Sequence, residues 1–158
     1  MAAQLIDGAA IAAGIRAEVA RDAAVLKAKG LTPGLAAIIV GDNAGSISYV
    51  SMKTKACAEA GIFSETFRLP ESTTQDELVA LIHRINADSR FHAILPQLPL
   101  PKHIDELAVI DAMDPAKDAD GLHPNNLGRL VEDVVGTSQA PQPCTNRGVV
   151  ELLRDNGV

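Results

Sequence analysis

The segment Leu35-Ala36-Ala37-Ile38-Ile39-Val40 constrains the fold of this chain more than any other. It is continuously apolar, too short for an ordinary helix, and bounded by Pro33-Gly34 and Gly41-Asp42. A strand with one wet face alternates polar and apolar residues. A strand with no polar face must be covered on both sides, as in a parallel sheet. The flanking pattern agrees with that reading. Asp7-Gly8 opens a predicted helix with Ile11, Ile15 and Val19 on one face, and Gly30 closes it as the residue after the cap. A second helix is expected over 46–60, ended by Gly61, and 62–69 reads as a strand. Thr74-x-x-Glu77 is a capping box, and the helix it starts places Leu78, Leu81, Ile82 and Ile85 on one face. A short buried strand over 93–95 runs into Pro96-Gln97-Leu98-Pro99-Leu100-Pro101. A helix near 104–113 follows, then a polar loop through Asp120-Gly121, then a last helix from about Thr145 to Asn156-Gly157. Strands alternating with helices predict an α/β domain: three layers, α-β-α, around a mostly parallel sheet. The segment 131–143 is the best candidate linker.

Composition removes several classes of function. A chain of 158 residues that is 47% apolar and 22% charged suits one globular domain with a real core. Its net charge of −6 offers no electrostatic footprint for nucleic acid or an anionic membrane. Aromatics at 3% also remove the stacking platforms that single strands need, so the core must be aliphatic. Asp7, Arg16 and Glu18 interrupt the apolar N-terminus, which argues against a signal peptide, and no stretch reaches the length of a membrane span. Cys57 and Cys144 match no metal-ligand spacing and read as reduced thiols of a cytoplasmic protein. His83, His92, His103 and His123 pair with no plausible metal partner, so structural or surface roles are expected and no metal site is predicted.

The helix over 46–60 carries the residues of most chemical interest. On a wheel at about 100° per residue, with Tyr49 as origin, Lys53, Ala56 and Ala60 fall in one small-residue stripe while Lys55 faces water. An ammonium on an apolar stripe is disfavoured by desolvation, so Lys53 either snorkels to solvent or has a task. Tyr49, one turn away, offers a π face and a hydroxyl. A Tyr-x-x-x-Lys pair also marks short-chain dehydrogenases, but those need a glycine-rich phosphate turn upstream. The upstream segment Gly41-Asp42-Asn43-Ala44-Gly45-Ser46 lacks that spacing, and no P-loop is present.

Further segments narrow the field. Gln97-Leu98-Pro99-Leu100-Pro101-Lys102-His103-Ile104-Asp105 follows a buried strand. Asp114-Pro115-Ala116-Lys117-Asp118-Ala119-Asp120-Gly121-Leu122-His123-Pro124 forms a polar loop, and Pro143-Cys144-Thr145 opens the last helix. Together with Tyr49-Val50-Ser51-Met52-Lys53 and Lys55-Ala56-Cys57, in this order and spacing, the chain resembles the bifunctional methylenetetrahydrofolate dehydrogenase/methenyltetrahydrofolate cyclohydrolase family.

The resemblance implies a catalytic, folate-binding domain over 1–143 and the start of an interdomain helix over 144–158. It also implies a Rossmann NADP-binding domain that these residues do not include, and a parent homodimer formed through that domain. The implied chemistry belongs to one-carbon metabolism. Hydride passes from 5,10-methylenetetrahydrofolate to NADP, and water then opens the methenyl product to 10-formyltetrahydrofolate. By match to the family motifs, Lys53 is the general acid/base of the hydrolytic step, oriented by Gln97, and a dry pocket beside a cationic substrate disfavours its ammonium form. Tyr49 would stack on the folate rings and help order Lys53. Leu98 and Pro99 would contact the substrate in a proline-stiffened loop. Asp120 would accept hydrogen bonds from the pterin, although an aspartate before Gly121 is also explained as an Asx-turn residue. Cys144 and Thr145 would face the nicotinamide, although Thr145 is equally explained as a helix N-cap. NADP and tetrahydrofolate are thus the implied cofactor and substrate. A non-catalytic folate-binding module or degenerate paralogue is the alternative, as is a partner for a separate Rossmann chain.

Some positions depart from the family pattern. Pro96 replaces valine, which predicts that the strand ends early, before Gln97. Ala44-Gly45 replaces Pro-Ala, which predicts a looser loop before the Tyr49 helix. Asn146 replaces a proline and Asn125 an aromatic.

Overall fold

The computed structural model describes residues 5–132 and 140–157. Helix α1 (Gly8–Ala28) is followed by strand β1 (Gly34–Val40), helix α2 (Ala44–Glu59) and strand β2 (Phe63–Leu69). Helix α3 (Gln75–Ala87), strand β3 (Ala93–Pro96), helix α4 (Glu106–Asp111) and a 3-10 turn (Pro115–Lys117) come next. Helices α5 (Pro124–Glu132) and α6 (Cys144–Arg154) complete the order. The strands form one parallel sheet in the order β2-β1-β3, with Ala37 opposite both Thr66 and Leu95.

The sheet is central because β1 is apolar on both faces. Ala36, Ile38 and Val40 point to one side and join Leu78, Leu81, Ile82 and Ile85 of α3, Val109 and Ile110 of α4, and Phe91 in the main core. Ala37 and Ile39 point to the other side and pack on Val50 and Ile47 of α2. Three layers result, as the unbroken apolar segment predicts. Each fully buried isoleucine of β1 contributes roughly 2–3 kcal/mol relative to exposure.

Local signals set most boundaries. Asp7 caps α1 by accepting the Ala10 N–H, and Gly30, at φ 86°, takes the left-handed position just past its end. The capping box of α3 is complete: the Thr74 N–H donates to Glu77 at 2.9 Å and the Glu77 N–H donates to the Thr74 hydroxyl at 3.3 Å. Gly34 begins β1 where the chain crosses Arg90, and a Cβ there would collide with the Arg90 carbonyl. The same glycine donates its N–H to His92 Nδ1 and accepts the His92 N–H.

Other boundaries differ from the sequence reading. Helix α2 starts two residues before 46, because Asn43 accepts the Ser46 N–H and closes the first turn around Ala44 and Gly45. Those two residues are helical, not a loose loop. Strand β3 stops at Pro96, directly before Gln97, but Pro96 itself belongs to it: Pro96 sits opposite Ile38, and the Gln97 N–H still donates to the Ile38 carbonyl at 2.8 Å. In a parallel ladder alternate N–H groups face each neighbour, so the missing N–H of Pro96 lies on the side away from β1. Helix α5 occupies part of what reads as a polar loop and linker. Pro124 stands at its first position, a recognised place for proline that the linker reading passed over. Of the expected linker 131–143, residues 133–139 lie outside the described residues, and Pro143 stands at the N-cap of α6.

Two measurements check this account. Gly34→Ala should cost about 1–3 kcal/mol in denaturant unfolding, since backbone rather than a yielding side chain blocks the methyl. Hydrogen bonds from the Thr74 N–H and hydroxyl hold the Glu77 carboxyl below its ordinary range. A depressed folded-state value contributes stability that is present above the unfolded value and lost as pH falls through the folded one. Glu77→Gln should therefore flatten the acid side of the thermal-stability profile between about pH 3 and pH 6.

Candidate active site

Three elements converge at the C-terminal ends of β1 and β3, the edge where open parallel sheets bind ligands. The first is α2. Its buried line runs through Ser46 and Val50, so Tyr49, one residue away, stands 59% exposed, and Lys53 occupies the border between buried and wet faces. The sequence reading placed Lys53 inside a stripe centred on Tyr49. The helix instead turns that stripe sideways, because only its narrow Val50 edge fits against Ala37 and Ile39. Lys55 is on the wet face as expected, 3.9 Å from Glu59.

The second element is the segment after β3. Gln97 is fixed through its backbone to Ile38, and its side-chain oxygen accepts from Lys53 Nζ at 3.3 Å. Its amide nitrogen donates to the Leu98 carbonyl at 2.8 Å. With both ends of the amide committed, Gln97 ties α2 to the segment after β3. The Leu98-Pro99 peptide is cis. The Leu100 N–H donates to Glu106 at the start of α4, and Leu100 itself is buried. The loop bearing Leu98 and Pro99 is thus held at both ends.

The third element is the loop 114–123 with the start of α6. The Cys144 thiol lies 3.7 Å from the Ala119 carbonyl and 3.9 Å from Asp120 Oδ1. Gly121, at φ 68°, lies against the backbone of Gln142 and Pro143, leaving no room for a Cβ. This contact brings α6 to Asp120. Partial desolvation, reinforced by the Asp120 charge, raises the Cys144 thiol above its ordinary value, while the Lys53 charge pulls it down. Lys53, Gln97, Asp120 and Cys144 therefore share one electrostatic neighbourhood. Thr145 is exposed and lines a groove between α1 and α6 with Ile11 and Leu152. It is not the N-cap: Pro143 holds that position, without a side-chain capping bond.

The sequence reading missed the residues that shape this loop. The local side-chain-to-backbone bonding considered for Asp120 is made by Asp118, whose Oδ1 accepts the Gly121 N–H three residues on at 3.0 Å. Lys117 donates to the carbonyls of Ile85, Asn86 and Asp88, capping the end of α3 from outside. Asn86 in turn donates to the Ala112 carbonyl and accepts the Asp114 N–H. The available signal was Lys117-Asp118 itself, two charged residues inside a motif whose first function is structural. Three of the four histidines bind backbone: His103 Nε2 donates to the Thr73 carbonyl, and His92 and His123 accept N–H groups at Nδ1. Among the described residues, no group of three His, Cys, Asp or Glu is placed to hold a metal ion, and no helix is long and apolar enough to cross a membrane.

The shared neighbourhood has a direct readout. Alkylation of Cys144, followed by peptide mass spectrometry, should accelerate at fixed pH in Asp120→Asn, where the thiol's value falls. It should slow in Lys53→Met, where that value rises.

Comparison with known proteins is consistent with the geometry. The profile described as tetrahydrofolate dehydrogenase/cyclohydrolase, catalytic domain, matches residues 6–120. The bifunctional protein FolD of Geotalea uraniireducens is 51% identical over 156 residues, covering 99% of this chain and 54% of that protein. FolD of Anaeromyxobacter dehalogenans is 52% identical over 149 residues, covering 94% of this chain and 52% of that protein. The crystal structure of the bifunctional FolD methylenetetrahydrofolate dehydrogenase/cyclohydrolase of Campylobacter jejuni superposes with a TM-score of 0.93 at 43% identity, covering 98% of this chain and 54% of that one. The Trypanosoma brucei enzyme, complexed with NADP cofactor and inhibitor, gives 0.92 at 41% identity, covering 99% of this chain and 52% of that one. The chain spans about half the length of the curated relatives it matches. On its sequence, its fold and the match over 6–120, this chain belongs to the tetrahydrofolate dehydrogenase/cyclohydrolase catalytic-domain family.

Proposed function

We propose that this chain is the folate-binding catalytic portion of a bifunctional enzyme of one-carbon metabolism. In that reading the enzyme oxidises 5,10-methylenetetrahydrofolate to 5,10-methenyltetrahydrofolate and hydrolyses the product to 10-formyltetrahydrofolate. The observation that carries it is the Lys53–Gln97 hydrogen bond, which joins an amine on α2 to the residue at the end of β3. An amine held by an amide oxygen keeps its remaining hydrogens free to serve a bound substrate. Hydrolysis of a methenyl bridge needs a proton taken from water and a proton delivered to the ring nitrogen as the C–N bond opens. In this reading Lys53 moves both, and its bond to Gln97 supports a fixed direction. Tyr49 offers its exposed ring to the folate, one turn from Lys53. Leu98 and Pro99 form the wall beside Gln97. The Asp120 carboxylate suits the adjacent N–H donors of a pterin.

NADP, when bound, supplies the hydride acceptor for the oxidative half. The residues present fit one edge of such a group: the first turn of α6 has no side-chain cap, so its N–H groups are open beside Cys144 and Thr145. We place the rest of the cofactor site outside these 158 residues, and homodimerisation with it. The aqueous interior of the cell is the compartment this chemistry suits.

Assay of the chain with 5,10-methenyltetrahydrofolate tests the reading. Hydrolysis is expected, and Lys53→Ala should lower its rate by about 100-fold or more. An undiminished rate would remove Lys53 from the mechanism. Binding of tetrahydrofolate with no hydrolysis would favour a non-catalytic folate module instead. The chain alone should form no NADPH from 5,10-methylenetetrahydrofolate, and robust turnover by it would overturn the placement of the cofactor site.

A further inference from the structure

The motif Lys117-Asp118-Ala119-Asp120-Gly121 contains more than the proposed function uses, since that function employs only Asp120. Asp118 is the buried acid among the unused residues, and it bonds within the loop itself. It is 2% exposed, and its partners are protein N–H groups. Its Oδ1 accepts the Gly121 N–H at 3.0 Å, and its Oδ2 accepts the His123 N–H at 2.8 Å and Asn126 Nδ2 at 3.0 Å. Among the described residues no Lys, Arg or His lies within ion-pair distance of it. The charge is met by donors alone, which a carboxylate can satisfy and a carboxamide cannot. Asparagine has one acceptor oxygen, and it would turn its own NH2 toward at least one of those donors.

The bonds surround Asp120 on both sides. Before it, the Ala119 N–H donates to the Ile94 carbonyl, so the chain at Asp118 runs beside β3 as a short extra bridge. After it, Gly121 is held by Asp118 Oδ1 in a left-handed conformation, and it lies against the backbone of Gln142 and Pro143. Asn126, also 2% exposed, adds a brace from α5, since its Nδ2 bonds both Asp118 and the Pro115 carbonyl. The position of Asp120 relative to Lys53 and Cys144 is therefore set from Asp118.

We propose that Asp118 is a positioning residue for pterin recognition: by holding Gly121, His123 and Asn126 it fixes Asp120 where the pterin donors arrive. The inference rests on the proposed role of Asp120. It predicts energetic coupling between the two aspartates, which a residue needed only for stability would not show.

Tetrahydrofolate affinity, measured by anaerobic calorimetry well below the unfolding midpoint, decides the matter. Asp120→Asn should weaken binding, and Asp118→Asn should weaken it by roughly tenfold, in the range of contacting-residue couplings. The double variant should bind no more weakly than Asp120→Asn alone. If Asp118→Asn does not fold, Asn126→Ala takes its place: it removes one of the three bonds, and its smaller loss should also vanish in the Asp120→Asn background. Wild-type affinity in Asp118→Asn or Asn126→Ala, with Asp120→Asn weakened, would overturn the inference, as would losses that multiply in the double variant. Undiminished affinity in Asp120→Asn would instead refute the pterin role of Asp120, and the inference with it.

Discussion

The site depends on the ladder between β1 and β3, and its last rung is the hydrogen bond from the Gln97 N–H to the Ile38 carbonyl. Ile38 is immobilised because β1 is packed on both faces: its own side chain lies in the main core while Ala37 and Ile39 are covered by α2. Gln97 inherits that rigidity and passes it to Lys53 on α2. The amine is thus registered against the centre of the molecule although it stands on a half-buried border.

Asp120 is registered by different means. No strand carries it. Its loop is fixed through contacts made elsewhere: Lys117 on the end of α3, Asn86 on the approach, Asp118 on the loop's own backbone, and the Ala119 bond to Ile94. The two halves of the site therefore have distinct mechanical origins. One is held by the sheet. The other is held by buried polar groups that are satisfied one by one, an arrangement that tolerates little substitution because each lost partner leaves a desolvated atom.

This division explains what the sequence disclosed and what it withheld. The apolar segment of β1, the Thr74–Glu77 box and the helix end at Gly30 are local signals, and each appears in the structure where local chemistry puts it. The layer order followed from them. The start of α2 did not, because Asn43 and Ser46 are both acceptable caps and only the folded chain shows that Asn43 takes the Ser46 N–H. Lys53 and Gln97 were paired through family resemblance, since their separation of 44 positions carries no local signal. The role of Asp118 was invisible for a related reason: two aspartates two residues apart look alike until one is seen to be buried. Helix α5 had a signal in Pro124, hidden by the polar residues that follow it.

Pro96 carries a consequence beyond its effect on β3. Its ring stands at the last rung before Gln97, and its missing N–H falls on the outer side of the strand. The segment 118–120 lies on that side, bonded through the Ala119 N–H to the Ile94 carbonyl, and it finds no donor at Pro96 with which to pair further. A substitution that first suggests a shortened strand thus keeps the rung to β1 and leaves the pairing on the other side as the single bridge at Ile94.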